Sequence, residues 1–171
     1  MKFHHICLVV SDMEKSLALY RDVLGFSVQM DTVIPGGEGS RQFFTQATLD
    51  DIFKIQGAKS RMVMLSSTEG ALIELQQPAV PLVRAVDRKY LRYGYVGISE
   101  LAFDVSGIET WFEKIKAAGY EMQTDYVWSV QGGRLKSFIF YDDDGSMIQL
   151  CERVRVNTSA PSPAPSNSRA A

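Results

Sequence analysis

One unit occurs twice in this chain, and that repetition limits the fold more than any single motif. Residues 5–14, HICLVVSDME, align without a gap on residues 100–109, ELAFDVSGIE, which sets Ser11 on Ser106 and Glu14 on Glu109. Leu17 then falls on Phe112, and both copies close on a glycine and an aromatic, Gly25-Phe26 and Gly119-Tyr120. A second match sets residues 70–75, GALIEL, on residues 145–150, GSMIQL. Self-similarity of this kind marks each copy as one structural unit. Units of about 75 residues are too small to be trusted to fold alone.

Each copy opens on an alternating apolar strand. A Ser-led segment follows with apolar residues near helical spacing: Met13, Leu17, Tyr20 and Leu24 in the first, Ile108, Phe112 and Ile115 in the second. Gly25 and Gly119 are placed to stop those helices. Three strands are then predicted in each half, over residues 27–33, 60–66 and 71–75, and over 121–128, 134–141 and 146–151. The order is βαβββ, twice, an α+β arrangement. Residues 45–55 read as an inserted helix, because Ala47, Leu49, Ile52 and Phe53 do not alternate. The expected organisation is a single domain over 1–153, made of unit one (1–77), a linker (78–96) and unit two (97–153). Residues 154–171 form a tail that is expected to be disordered, since 157–171 hold three of the six prolines and one charge.

Composition excludes several classes. With 171 residues and 46% hydrophobic content, the chain can build a core without staples. Its two cysteines, Cys7 and Cys151, lie in apolar runs and read as reduced thiols, which points to the cytoplasm. A net charge of -2 offers no bulk attraction to nucleic acid or to an anionic membrane. The early apolar run 6–10 is too short for an export signal or a membrane span.

Strand periodicity says which side chains share a surface. Ile6, Leu8 and Val10 form one face of the first strand, and His5, Cys7 and Val9 the other. Leu101, Phe103 and Val105 correspond to the first set; Glu100 and Ala102 oppose them. Ile73, Leu75, Ile148 and Leu150 make the bulkier face of the repeated last strand, and Glu74 and Gln149 point away from it. His5, Glu74, Glu100 and Gln149 therefore fall at matched positions on one concave face. Burying unpaired carboxylates there costs several kcal/mol, which a shared cation would offset. Cys7 lies on the same face and lines the cleft. Tyr126 and Trp128 share one face of a predicted strand and are candidate cleft aromatics, with Phe138 and Phe140 on the next strand. The linker 84–95, RAVDRKYLRYGY, reads either as a lid over an anionic group or as a solvated connection.

The segments HHICLVVSDMEKSLALYRDVLGF, GALIELQQP, ELAFDVSGIETWFEKIKAAGYE and YDDDGSMIQLCE resemble the vicinal oxygen chelate superfamily. That superfamily includes glyoxalase I, methylmalonyl-CoA epimerase, extradiol dioxygenases and fosfomycin or bleomycin resistance proteins. The resemblance implies two βαβββ units forming an open, barrel-like mixed sheet with helices on the outer face. It also implies a divalent metal in the cleft, held at the first and fourth strands of each unit, here His5, Glu74, Glu100 and Gln149. Many members have His in place of Glu100 and Glu in place of Gln149, so the positions carry over and the ligand set is this chain's own. One nitrogen and three oxygen donors suit a fairly hard ion such as Mn, Fe(II), Mg or Co, with Ni and Zn in range.

Three functions follow from the resemblance. The first is metal-assisted proton transfer on a small oxygen-bearing molecule, in a lyase or isomerase of glyoxalase or epimerase type, with Glu100 as first candidate base and Glu74 as second. The second is an extradiol-type dioxygenase, for which a second His beside His5 is lacking, since His4 points to the opposite face. The third is a metal-free binding or drug-resistance protein. Members commonly form homodimers, and some build the site across the dimer interface.

Overall fold

The computed structural model describes residues 1–36 and 43–154. Its elements run β1 (Ile6–Val9), α1 (Met13–Leu17), β2 (Ser27–Ile34), α2 (Gln46–Phe53), β3 (Lys59–Ser66), β4 (Leu72–Val80), β5 (Glu100–Asp104), α3 (Ile108–Ala117), β6 (Trp128–Val130), β7 (Leu135–Tyr141) and β8 (Met147–Arg153). They form two four-stranded mixed sheets of the same order, β1-β4-β3-β2 and β5-β8-β7-β6. In each, the first strand runs parallel to the last and the others are antiparallel. The βαβββ repeat is thus the architecture. Both sheets are open.

The helices are started differently from the expectation. Asp12, not Ser11, caps α1, its carboxylate accepting from the backbone N–H of Glu14 at 3.0 Å and of Lys15 at 3.2 Å. At α3 the cap position is Gly107, and Glu152 reaches over from β8 to accept from Gly107 N at 2.7 Å. Gln77, the repeat equivalent of Glu152, accepts from Met13 N at 3.3 Å. A polar side chain three residues beyond the Glu74/Gln149 position therefore ties each sheet to its own helix. A π-helical turn, Ala18–Val23, extends α1. Gly25 (φ 83°) and Gly119 (φ 87°) end the helices as expected, in a backbone region that other residues rarely enter.

The helix-bearing faces share one core. Leu17, Tyr20, Leu65, Ile73 and Leu75 of unit one and Ile108, Ile115, Phe138, Phe140 and Ile148 of unit two belong to one buried cluster. Contacts cross between the units: Phe26 lies edge-on to Phe103 with ring centroids 5.4 Å apart, and Tyr20 donates to Asp142 at 3.3 Å. Phe138 and Phe140 are thus core residues, not cleft aromatics. Removing such residues from water contributes about 1.5–3 kcal/mol each.

The strand expected over 121–128 does not form. Met122 makes an isolated bridge to Phe140, and regular pairing starts at Trp128, opposite Ser137. Five residues on one side face two on the other, so the excess loops out, with Thr124 Oγ1 donating to the Tyr126 carbonyl at 2.8 Å. Tyr126 and Trp128 do not share a strand. Gly132 and Gly133 form a tight turn before β7, and the tail from 155 onward lies outside the described residues. No helix among the described residues is long and apolar enough to cross a membrane.

Candidate functional site

The site is built on the face of each sheet opposite α1 and α3; on the first sheet α2 covers part of that same face. Parallel pairing sets Cys7 beside Glu74 and Ala102 beside Gln149, and residues paired across strands share a face. His5 precedes β1 on the same face as Cys7. Its Nε2 lies 3.4 Å from Glu74 Oε2, with both side chains substantially covered.

Glu74 is held in place from behind. Gln76, two residues along β4 and so on the same face, donates from Nε2 to Glu74 Oε1 at 2.7 Å. The Gln76 amide oxygen in turn accepts from the hydroxyl of Ser60, which is fully buried. At the other end, His5 Nδ1 and His4 Nδ1 are 2.6 Å apart, so one ring donates to the other. A His5 ring that donates from Nδ1 presents a bare Nε2 to Glu74, the form a metal requires. Gln76 and Ser60 are partners that a reading of the repeat alone misses, although Gln76's alternation with Glu74 was open to view.

Cys7 is exposed on this face, yet local desolvation first, then the charge of Glu74 and a hydrogen bond to it, push its thiol up to about 12, which favours the protonated form at neutral pH.

The second sheet presents Glu100 and Gln149 on the equivalent face. Glu100 accepts a short hydrogen bond from the Tyr93 hydroxyl, and that bond, with burial and the Glu100 charge, raises the phenol to about 12. Tyr93 belongs to the linker, which is largely exposed, as the solvated reading expects, and touches the second sheet at a few side chains. Arg92 stacks on the Tyr141 ring at 3.7 Å and donates to the Gly145 carbonyl at 3.2 Å; Arg88 pairs with Glu121 at 2.8 Å. Gly145 (φ 88°) is required there, because a Cβ would meet Arg88 Cγ at 2.9 Å. Gln149 pairs with Ala102 on one side and Ile139 on the other, and is half-buried. Trp128 packs on Ile139, Tyr141 and Met147 and also touches the main core. Tyr126 is 59% exposed on the loop.

The two halves meet at a cavity of about 130 Å³ whose lining includes Cys7 of β1 and Glu100 of β5. A wider groove of about 630 Å³, bordered by Asp104, Arg134 and Arg153, lies further along β5 and β8, away from His5 and Glu74. His5 and Glu74 are brought together, whereas Glu100 is turned to Tyr93. Among the described residues no group of three or more His, Cys, Asp or Glu side chains converges. The pair itself fits a divalent ion: two ligands about 2.1 Å from one ion at right angles lie about 3.0 Å apart, close to the separation seen. Gln149 offers an amide oxygen, a hard neutral donor, at the repeat-equivalent position of the second sheet.

The family model of the Glyoxalase/Bleomycin resistance protein/Dioxygenase superfamily matches residues 2–150. Among solved structures, the chain is similar to a glyoxalase family protein from Bacillus cereus, with a TM-score of 0.74 and 14% identity over 91% of this chain and 95% of that one. A glyoxalase/dioxygenase from Nostoc punctiforme gives 0.61 at 19% identity, covering 90% and 92%. A mutant of the genomically encoded fosfomycin resistance protein from Listeria monocytogenes, complexed with Mn(II) and a dihydroxypropylphosphonic acid, gives 0.55 at 19% identity, covering 90% and 93%. At these identities the likeness is one of fold. None of the curated proteins matches the chain.

Proposed function

The chain belongs to the Glyoxalase/Bleomycin resistance protein/Dioxygenase superfamily, and on that premise we propose that it is a divalent-metal enzyme moving a proton on a small oxygen-bearing organic molecule. The observation that carries this reading is the His5–Glu74 pair, 3.4 Å apart on the concave face and braced by His4 and Gln76. His5, Glu74 and Gln149 would hold the ion, with Glu100 a labile fourth ligand or the base. The Mn(II) named in the Listeria neighbour supports metal use in this fold. When bound, a divalent ion supplies Lewis-acid stabilisation of charge developing on substrate oxygens.

The remaining work falls to side chains. Glu100 takes the proton from the carbon beside the substrate carbonyl and returns it to the same or a neighbouring carbon, as an epimerase or isomerase requires. The Tyr93 hydroxyl orients that carboxylate through its hydrogen bond. Trp128, Ile139 and Met147 give the second sheet an apolar floor that limits water at the reacting carbon. An oxygen-activating reading asks for a second His beside His5, and His4, the other histidine of the chain, is bonded to the His5 ring instead. Solvent-deuterium uptake into α-hydroxy ketones and acyl thioesters, with oxygen consumption on catechols alongside, tests the assignment. Exchange without oxygen uptake supports it.

A second reading, a metal-free binder of small molecules, is favoured by one observation. Tyr93 engages Glu100, and among the described residues no group of three His, Cys, Asp or Glu side chains converges on a point. Purified protein that ignores added Mn, Fe, Co, Ni and Zn supports this second reading.

A further inference from the structure

The insertion in unit one covers a partly open apolar pocket beside Glu74. Helix α2 lies across the outer half of the first sheet, where Leu49 packs with Ile34, Met62 and Ala58. Its placement is fixed by polar contacts: Asp50 Oδ1 accepts from Ala58 N at 2.9 Å and from Gln46 Nε2 at 2.7 Å, and Thr45 caps the first turn through Thr48 N at 3.1 Å. Between helix and sheet is a cavity of about 180 Å³. Its walls include Ile34, Phe44, Leu49 and Phe53, and its polar end is Glu74 and Gln76. Past Val9, Phe53 and Pro78 it continues into a second cavity of about 320 Å³ that reaches Leu82 and Arg84.

We propose that the substrate is an amphiphile: its oxygen-bearing end lies at Glu74, and an apolar group of about six carbons, a phenyl ring or a short alkyl chain, fills the chamber beneath α2. This rests on the proposed function for the identity of the polar end, and on geometry for the rest. A cavity of about 150 Å³ lined by aliphatic and aromatic side chains stays dry and holds benzene. The lining sets Glu74 and Gln76 against apolar side chains, which selects a ligand with one polar end, and the roughly 180 Å³ volume beneath α2 suits a small group. The continuation toward Leu82 leaves room for longer chains.

The test uses a series of 2-oxo acids, pyruvate, 2-oxobutyrate, 2-oxohexanoate and phenylpyruvate, with toluene as a probe lacking the oxygens, titrated into the full chain. Each added methylene is expected to tighten binding about fourfold up to six carbons, and toluene is expected to bind. Ile52 and Val9 line the pocket at 56% and 59% exposure, so a charge at either is expected to leave the fold intact, which circular dichroism of each variant checks. Ile52→Glu and Val9→Lys are each expected to weaken phenylpyruvate and toluene at least about tenfold while leaving pyruvate unchanged. Toluene binding together with no solvent-deuterium exchange into α-hydroxy ketones or acyl thioesters leaves the chamber standing and removes the proton-transfer reading. Equal affinity for pyruvate and phenylpyruvate, indifference to both substitutions, or burial of Ile52 and Val9 against a second copy of the chain overturns the chamber and leaves that reading untouched.

Discussion

His5 Nε2 lies 3.4 Å from Glu74 Oε2 although the two residues are 69 positions apart, because the parallel pairing of β1 with β4 brings both to one face. Glu74 spends its other oxygen on Gln76, so the atom facing His5 is the free one. That division of the carboxylate makes Gln76 a positioning residue. Gln76→Ala is expected to weaken divalent-metal binding about 10–100-fold, the usual loss when an outer partner of a metal ligand is removed. Calorimetric titration with Mn(II) measures it; an unchanged affinity would show that Glu74 needs no support.

Glu100, the proposed fourth metal ligand, is already engaged by the Tyr93 hydroxyl. A hydrogen bond to a charged group contributes about 1.5–3 kcal/mol, and Tyr93→Phe removes it without touching the first sheet. The variant is expected to bind Mn(II) about tenfold more tightly than the wild type. Weaker binding would instead mean that Tyr93 presents Glu100 to the ion.

Asp142 gives a pH dependence of known sign. It is 7% exposed, and burial, followed by the charge of Asp144, raises its pKa, with hydrogen bonds from Ser146 and Tyr20 partly opposing. A carboxyl whose folded pKa lies above its unfolded value, near 3.9, favours folding in its protonated form. That contribution is present at acid pH and is lost as pH rises through the folded value. Asp142→Asn does not titrate, so the difference in Tm, variant minus wild type, is expected to grow more positive from pH 4 to pH 7. A difference that stays flat or falls contradicts the raised pKa.

Phe138 and Tyr126 separate the core from the loop. Phe138→Ala removes a fully buried ring that lies edge-on to Phe112 at 5.3 Å and is expected to cost about 3–5 kcal/mol. Tyr126→Ala should change stability by less than about 0.5 kcal/mol. Urea unfolding of both variants checks the pair, and a large loss at Tyr126 would restore it to a packed strand.

The repeat, the strand order and the faces of β1, β4, β5 and β8 were legible because period-two alternation and self-similarity are local properties of the chain. Helix starts were less so: Asp12 follows Ser11 immediately, both are capping residues, and α3 borrows its acceptor from Glu152, 45 positions away. Alternation over 121–128 misled because it takes no account of the partner strand, where Ser137 and Phe140 leave too little length for Tyr126. The linker's contacts with the second sheet, Arg92 on Tyr141 and Tyr93 on Glu100, are set by tertiary structure alone. His5, Glu74 and Cys7 came together as the face assignment expects. The engagement of Glu100 by a linker tyrosine was beyond it.

The central claim is a divalent ion held by His5 and Glu74. Elemental analysis and Mn(II) titration of the purified wild type, beside Glu74→Ala and His5→Ala, test it most directly. About one ion per chain in the wild type, lost in both variants while their circular dichroism stays native, is the result predicted. A wild type that takes up none of Mn, Fe, Co, Ni or Zn, or variants that bind as tightly as the wild type, would contradict it.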